Sequence, residues 1–280
     1  MICQGVTFKF EGRQADKHLI SALNLGRSLI GIDRLSNAGL VFFDTGRNPK
    51  QRERSNVQVF ASTPSAGSVD LITFIANAPF VLPIAKDFIT SGGSKILFHF
   101  SGYVLSKFSG RGGDAEKYLE ALTKINRDNN EFKLKSEAQW QGAFISMVER
   151  LVSPARSIVS PVGMEASKLT LTDETSRMSL TVDEPMADAI RSADDVTITD
   201  EENIEVLVDG IIHHSKQLKI VHPNQNGRYI TAEIRDPMFD IVPNKYSEAA
   251  SMKGSLKVVA RSMLKGGELL KLYIMRLQVG

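Results

Sequence analysis

The hydrophobic pattern of the chain changes about half-way along its length. Up to about Pro154, apolar residues recur at the spacing of amphipathic helices, whereas beyond it shorter runs alternate apolar and polar residues as half-buried strands do. Five such runs, separated by turn-forming residues, lie at 204–213, 217–222, 228–235, 255–262 and 268–277. The change of period predicts an α+β chain that ends in a β-rich domain.

The C-terminal runs are interrupted once, by a longer segment at 236–253. This segment is long enough for a turn at Asp236 and Pro237 followed by a short helix over 246–252. Three strands, a helix and two strands form an order that resembles a small OB-type barrel. The resemblance implies a five-strand barrel over 203–280 that binds oligonucleotides on the face of its second and third strands. Those strands and the turn before them carry the candidate binding residues: Lys216, Lys219, Arg228, Tyr229 and Arg235.

The N-terminal part of the chain, 1–155, predicts a small sheet with a cluster of helices. Runs at 5–10, 57–62 and 68–76 have strand character. A helix follows the first of them, with Asp16 as its N-cap. Two adjacent stripes of this helix predict one broad buried face: Leu19, Leu23, Gly26 and Ile30 on one, Leu25, Leu29 and Ile32 on the other. We expect another element to approach closely at Gly26, and we expect Gly31 and Gly39 to weaken the later turns of the helix.

A helical hairpin is predicted at 80–108, with its turn at the glycines of 91–94. The second helix, 95–108, is apolar on most of its sides, which is typical of a helix buried between layers or at an oligomer interface. Both interpretations remain open. In the second, the protein forms homo-oligomers through exposed aromatic side chains of this helix: Phe98, Phe100, Tyr103 and Phe108.

Residues 156–202 are predicted to connect the two domains. They contain two short β-like runs, 167–171 and 178–182, and an acidic helix or loop at 183–195. The two runs either belong to the connection or complete the N-terminal sheet.

A basic segment at 47–54 follows the first long helix. It carries four cations and a single acid, Glu53, while Gly46 and Pro49 keep it out of regular structure. Such a loop either is simply solvated or contacts phosphate or an acidic protein partner. The candidate anion-binding residues are Arg47, Lys50, Arg52 and Arg54.

Motifs for catalysis and metal binding are missing from the sequence. There is no HExxH, CxxC or GxSxG pattern. We interpret His99 as a core or interface histidine rather than a general base. A two-histidine metal site would require His222 to face His213 or His214 across a hairpin. The glycine-rich loop at 109–114 lacks the lysine and hydroxyl of a phosphate-binding loop, and we interpret it as a linker with Asp114 as N-cap. No catalytic residue, metal or cofactor is therefore predicted, and an enzyme is disfavoured.

The composition limits the class of protein but does not identify a function. The 280 residues are 42% hydrophobic and 24% charged with a net charge of +2, which is ordinary globular usage without the strong basic excess of a dedicated nucleic-acid binder. A single cysteine, Cys3, and the lack of a secretory signal or membrane-spanning run predict a cytoplasmic protein. We predict a non-enzymatic binding or assembly protein that self-associates through the hairpin. The alternative is a protein that binds nucleic acid or a phosphorylated ligand through the barrel and the basic segment.

Overall fold

Eleven strands and seven α-helices make up the regular structure of the computed structural model over the residues that it describes. These residues are 5–50, 53–55, 58–61, 69–76, 93–128, 137–173, 178–192, 196–223, 227–241 and 243–278. The α+β class predicted from the sequence is confirmed. The chain divides into two units, Met1–Ala193 and Asp194–Gly280.

The first unit contains a five-stranded antiparallel sheet made of β1 (Gly5–Glu11), β2 (Gln58–Ala61), β3 (Val69–Ala76), β4 (Lys168–Asp173) and β5 (Met178–Asp183). The strand order is β2–β3–β1–β4–β5, so β1 is central and Phe8 pairs with Leu71 of β3 and Leu171 of β4. The two short strands after residue 156 thus complete the N-terminal sheet, which was one of the two arrangements left open by the sequence. The first unit accordingly extends to residue 193.

Six helices accompany this sheet: α1 (Ala22–Thr45), α2 (Gly93–Phe108), α3 (Gly112–Asp128), α4 (Glu137–Glu149), α5 (Val152–Ile158) and α6 (Glu184–Ser192). The N-cap of α1 is Ser21, whose hydroxyl accepts a hydrogen bond from the Asn24 N–H at 3.3 Å. The predicted cap, Asp16, lies too early in the chain and instead accepts a hydrogen bond from the Gly12 N–H in the preceding turn, at 2.7 Å.

The prediction that both apolar stripes of α1 are buried was wrong for one of them. Leu19, just before the helix, is 59% exposed, and Leu23 and Ile30 are 63% and 52% exposed. Ile32 is buried, and Leu25 and Leu29 pack partly against the core. The physical reason is that the described elements cover α1 on the side of Gly31 and Gly39, so the stripe with Leu23 and Ile30 stays exposed.

The glycines of α1 mark the side on which it is covered. A Cβ atom on Gly31 would lie 2.7 Å from the Pro154 carbonyl oxygen of α5, and one on Gly39 would lie 2.6 Å from the Phe100 ring of α2. A Cβ atom on Gly26 would meet nothing within 4 Å among the described residues. The close approach expected at Gly26 therefore occurs at Gly31 and Gly39, where the lack of a side chain lets α5 and Phe100 approach the helix backbone.

The second helix of the predicted hairpin, α2, lies in the core of the first unit. Phe98 and Phe100 are fully buried, Tyr103 is 5% exposed and Phe108 is half-buried. The Tyr103 ring lies 5.0 Å from that of Phe144, which in turn stacks on Trp140 at 5.1 Å. Three of the four side chains nominated for an oligomer interface are thus core side chains of this unit. The first helix of the hairpin, predicted at 80–89, lies outside the described residues.

The second unit is the predicted OB-like barrel. Its strands are β6 (Val196–Ile198), β7 (Glu202–Ile212), β8 (Gln217–Val221), β9 (Tyr229–Ile234), β10 (Ser255–Lys265) and β11 (Glu268–Leu277), and a helix, α7 (Lys245–Met252), separates β9 from β10. Five strands close a ring in the order β7–β8–β9–β11–β10, in which only the β9–β11 pair is parallel. The short β6 pairs with β10 beside the ring.

A buried carboxylate ties α7 to the barrel. Asp236 accepts hydrogen bonds from the Tyr246 hydroxyl at 2.7 Å, the Met238 N–H at 2.9 Å and the Leu277 N–H at 3.2 Å. Burial, together with the neighbouring Asp236, raises the pKa of Tyr246 far above its usual range. Asp236 therefore fixes the predicted turn, the helix and the end of β11 to one another.

None of the described helices is both long enough and apolar enough to cross a bilayer.

Candidate functional site

A groove of about 470 Å³ lies between the middle of α1 and the basic segment that follows it. Its walls come from both elements: Arg34, Asn37 and Ala38 of α1, and Pro49, Lys50, Glu53 and Arg54 of the segment. The groove therefore brings three of the predicted anion-binding candidates to α1: Arg54 and Lys50 as lining residues, and Arg47 through its contact with Glu53. Arg52 lies outside the described residues.

The local sequence explains why the segment folds back along α1. Gly46 ends the helix with a φ of 67°, a left-handed conformation that glycine adopts without strain, and its N–H donates to the Phe42 carbonyl. Asn37 then fastens the returning chain, since its side-chain amide donates to the Glu53 carbonyl at 2.9 Å and its side-chain oxygen accepts from the Ser55 N–H at 2.8 Å.

Glu53 organises the basic segment. Its carboxylate accepts two hydrogen bonds from the Arg47 guanidinium, at 2.5 and 2.8 Å, and one from the Lys50 N–H at 2.7 Å. The bonds from Arg47 and then from the Lys50 N–H lower the pKa of Glu53 to about 2. The glutamate is therefore ionised at neutral pH, and it closes the segment into a turn around itself.

The groove keeps a positive balance after its internal ion pairs are formed. Arg54 pairs with Asp33 at 2.6 Å, and Arg47 pairs with Glu53. Within the described part of the chain, the side chains of Arg34 and Lys50 have no ion-pair partner, and both residues are exposed. Two cations, one on each wall, are thus available to a ligand.

Two of the predicted cations of the barrel, Lys216 and Lys219, are paired with carboxylates, unlike Arg34 and Lys50 of the groove. Lys219 of β8 lies 4.2 Å from the centre of the Tyr229 ring and 2.9 Å from Asp209, whose carboxylate raises the pKa of Lys219. Lys216 pairs with Asp240 at 2.6 Å, and Arg228 is exposed. Tyr229 is 47% exposed, so β8 and β9 do present an aromatic side chain with a cation on its ring.

Arg235 does not share the surface of Lys219 and Tyr229. Its side chain is only 12% exposed and pairs with Glu233 at 2.5 Å, and Lys271 pairs with the same glutamate. Its guanidinium also lies 5.7 Å from the centre of the Tyr273 ring. Arg235 is therefore part of a structural network on β9 and β11 rather than an open cation.

Comparison with known proteins places the chain in a family. Residues 6–191 match a family model described as a domain of unknown function (DUF7946), which is more than half of the chain. The chain belongs to the DUF7946 family. Residues 200–278, which contain the barrel, match a second model, described as a family of unknown function (DUF7947). No curated protein matches the chain.

Among solved structures, the chain shows a distant likeness to the ferredoxin protease FusC in complex with Arabidopsis ferredoxin. The identity is 12% over 85% of this chain and 29% of that chain, with a TM-score of 0.19. This chain therefore spans less than a third of the length of that protease chain, and a TM-score this low carries no argument about fold or function.

The histidines and the glycine-rich loop do not form a site in the described part of the chain. His213 and His222 flank β8 at opposite ends, about 17 Å apart for five residues of strand, so the hairpin does not bring them together. His99 is buried against the Tyr118 ring, and burial lowers its pKa. No group of three metal-ligating side chains is present among the residues described. α3 begins at Gly112, so Asp114 lies in its first turn rather than at the predicted N-cap, and its carboxylate pairs with Arg111 and Lys117.

Sequence reasoning missed the α1 wall of the groove. Because the sequence pattern predicts a broad buried face for this helix, Arg34 and Asn37 are not among the predicted site residues, and no motif distinguishes them. The available signal was the spacing of Arg27, Ile30 and Arg34, which places two arginines on the same helical face as Ile30 and indicates that this face is exposed.

Proposed function

We propose that this protein is a cytoplasmic, non-enzymatic binding protein that takes an anionic, phosphate-bearing ligand in the groove between α1 and the basic segment. The single observation that supports the proposal is the open pair of cations, Arg34 and Lys50, one on each wall of a groove whose other arginines are already paired. Phosphate oxygens accept strong hydrogen bonds from guanidinium and ammonium groups, and arginine can bind two of them at once.

The geometry of the groove favours a ligand with more than one phosphate. Glu53 and Asp33 pair with Arg47 and Arg54, so the excess positive charge of the groove comes from Arg34 and Lys50. Four cations against two carboxylates leave a net positive field, which attracts a polyanion more strongly than a monoanion.

We give this proposal precedence over self-association through the hairpin. Phe98, Phe100 and Tyr103 already pack within the first unit, whereas Arg34 and Lys50 of the groove have no ion-pair partner among the described residues. Self-association stays a prediction, and sedimentation of the full chain at tens of micromolar is the measurement that decides it.

The test is a calorimetric titration of the full chain with inorganic tripolyphosphate at two salt concentrations. We expect binding that weakens as salt rises, and a loss of at least about tenfold in the double variant Arg34→Gln/Lys50→Gln. The matched control is Lys107→Gln/Lys124→Gln, which removes the same charge from exposed positions of the same unit and should bind as the unchanged protein does. Undetectable binding at low salt, or equal losses in the two variants, would refute the proposal.

A second candidate function is nucleic-acid binding by the barrel. The observation in its favour is the exposed Tyr229 with Lys219 over its ring on the second and third strands of an OB-like barrel. Titration of a labelled single-stranded oligonucleotide tests it, with Lys219→Ala/Tyr229→Ala compared with Lys245→Ala/Lys257→Ala on other exposed parts of the unit. This candidate fails if the first variant binds as tightly as the second.

A further inference from the structure

One face of α1 combines large exposed apolar side chains with cations, and it runs into the groove. Leu23, Gly26, Arg27, Ile30 and Arg34 follow one another at helical spacing, so they share one side of the helix over about 16 Å. Arg34, the last of them, is also a wall of the groove. We call this set the α1 outer face.

The apolar part of this face extends beyond the helix. Leu19 precedes the first turn and is exposed, and Met164, which is 64% exposed, lies beside the start of α1 because the Asn24 amide contacts its sulfur at 3.8 Å. Leu19, Leu23, Ile30 and Met164 are thus four large exposed apolar side chains on or beside α1, and a concentration of such side chains is typical of an interaction surface.

The cations of the same face identify the chemistry of what covers it. Within the described residues, Arg27 and Arg34 have no ion-pair partner, and Lys17 is a further exposed cation near Leu19. Of the nearby acids, Asp33 is paired with Arg54, whereas Asp16 and Glu165 accept hydrogen bonds from the neutral Gly12 N–H and Asn24 amide and keep their charge. A second copy of this face would bring like charges together, whereas an anionic lipid surface offers phosphate to the arginines and acyl chains to the leucines.

Resting on the proposed function, we infer that the α1 outer face docks on an anionic lipid surface and that the phosphate-bearing ligand of the groove is a lipid headgroup. Leu19, Leu23 and Ile30 enter the boundary between headgroups and acyl chains, while Arg27 and Arg34 contact phosphates at the same depth. Gly26 adds no side chain to the middle of the face, where a Cβ atom would meet nothing within 4 Å among the described residues. The contact is peripheral and uses side chains of a folded helix, without a spanning segment.

The experiment is co-sedimentation of the full chain with vesicles of phosphatidylcholine alone and of phosphatidylcholine mixed with phosphatidylglycerol. We expect binding to the mixed vesicles only, reduced by at least about tenfold in Leu23→Asn/Ile30→Asn and by roughly fivefold in Arg27→Gln. The matched control is Leu207→Asn/Leu270→Asn, which removes two exposed apolar side chains from the second unit and should leave vesicle binding unchanged.

Tripolyphosphate binding separates the two proposals, because Leu23, Arg27 and Ile30 do not line the groove. Vesicle binding that is lost in Leu23→Asn/Ile30→Asn while tripolyphosphate binding is kept supports the lipid surface. Three outcomes contradict docking on a lipid surface but not ligand binding in the groove. The first is no vesicle binding despite tripolyphosphate binding, and the second is vesicle binding that Leu23→Asn/Ile30→Asn does not reduce. The third is self-association that this variant abolishes, in a protein that does not bind vesicles. Absence of both kinds of binding removes the proposed function itself.

Discussion

Glycines and large apolar residues occur on both sides of α1, but they are packed against other elements on one side and exposed on the other. On the inner side, Gly31 and Gly39 let α5 and the Phe100 ring approach to distances at which any Cβ atom would clash. On the outer side, Gly26 lies in open space between Leu23 and Ile30, which are exposed. The difference teaches that neither a glycine nor a leucine in a helix reveals its environment by itself. Only the neighbouring elements decide which stripe is covered.

The largest expected effect comes from filling the inner side. Gly31→Ala places a methyl group 2.7 Å from a backbone carbonyl oxygen and 2.8 Å from the Ile158 nitrogen, and neither backbone atom can turn away as a side chain can. We expect a loss of about 1–3 kcal/mol in the free energy of unfolding, measured by denaturant titration. An unchanged midpoint would show that α1 and α5 are further apart than described.

The matched substitution on the outer side should have the opposite sign. Gly26→Ala meets no atom within 4 Å and gains helix propensity, so we expect stabilisation by up to about 1 kcal/mol in the same titration. Destabilisation here would mean that another element does cover this face. The pair of alanine substitutions therefore measures which side of the helix is packed, independently of any ligand.

The exposed apolar residues of the outer side should contribute little to folding. Leu23→Asn/Ile30→Asn changes side chains that are more than half exposed, and we expect the free energy of unfolding to change by no more than about 0.5 kcal/mol per site. Thermal unfolding followed by circular dichroism is the check. A large loss would place these residues in a folded-state contact and would remove the argument for a docking surface.

The smallest expected effect is on the basic segment, and it appears only at acidic pH. Glu53 has a pKa lowered from its ordinary value of 4.5 to about 2, first of all by the hydrogen bonds from Arg47. Because the folded pKa lies below the unfolded one, the contribution of this carboxylate is present above about pH 4.5 and is lost as the pH falls through about 2. The Glu53 carboxyl resonance should titrate near pH 2 and move towards 4.5 in Arg47→Gln. A midpoint at the ordinary value in the unchanged protein would mean that the segment does not close around Glu53 in solution.

Three features show how much of the fold is predicted by the local pattern of apolar and charged residues. Alternation in Val6, Phe8 and Phe10 predicts β1 and its buried face, and both follow from the two-residue repeat of a strand. The order of five β-rich runs with a helix after the third predicts the OB-like barrel, because connection lengths limit how such strands can close. The basic segment was visible as a set of cations, but its ion pairs were not, since Asp33 lies 21 residues before Arg54.

By itself, the sequence determined the element types, the barrel and the excess of cations at 47–54, because helical and strand periods, turn residues and charge are local properties of the chain. The tertiary structure alone decided that Leu23 and Ile30 face outward, that Phe98 and Phe100 belong to the core, and that Arg34 and Asn37 of α1 join the basic segment in one groove. Burial and ion pairing depend on which distant element lies against a residue. In α1 the covering residues, Phe100 of α2 and Pro154 of α5, lie more than 60 residues further along the chain than the glycines they approach.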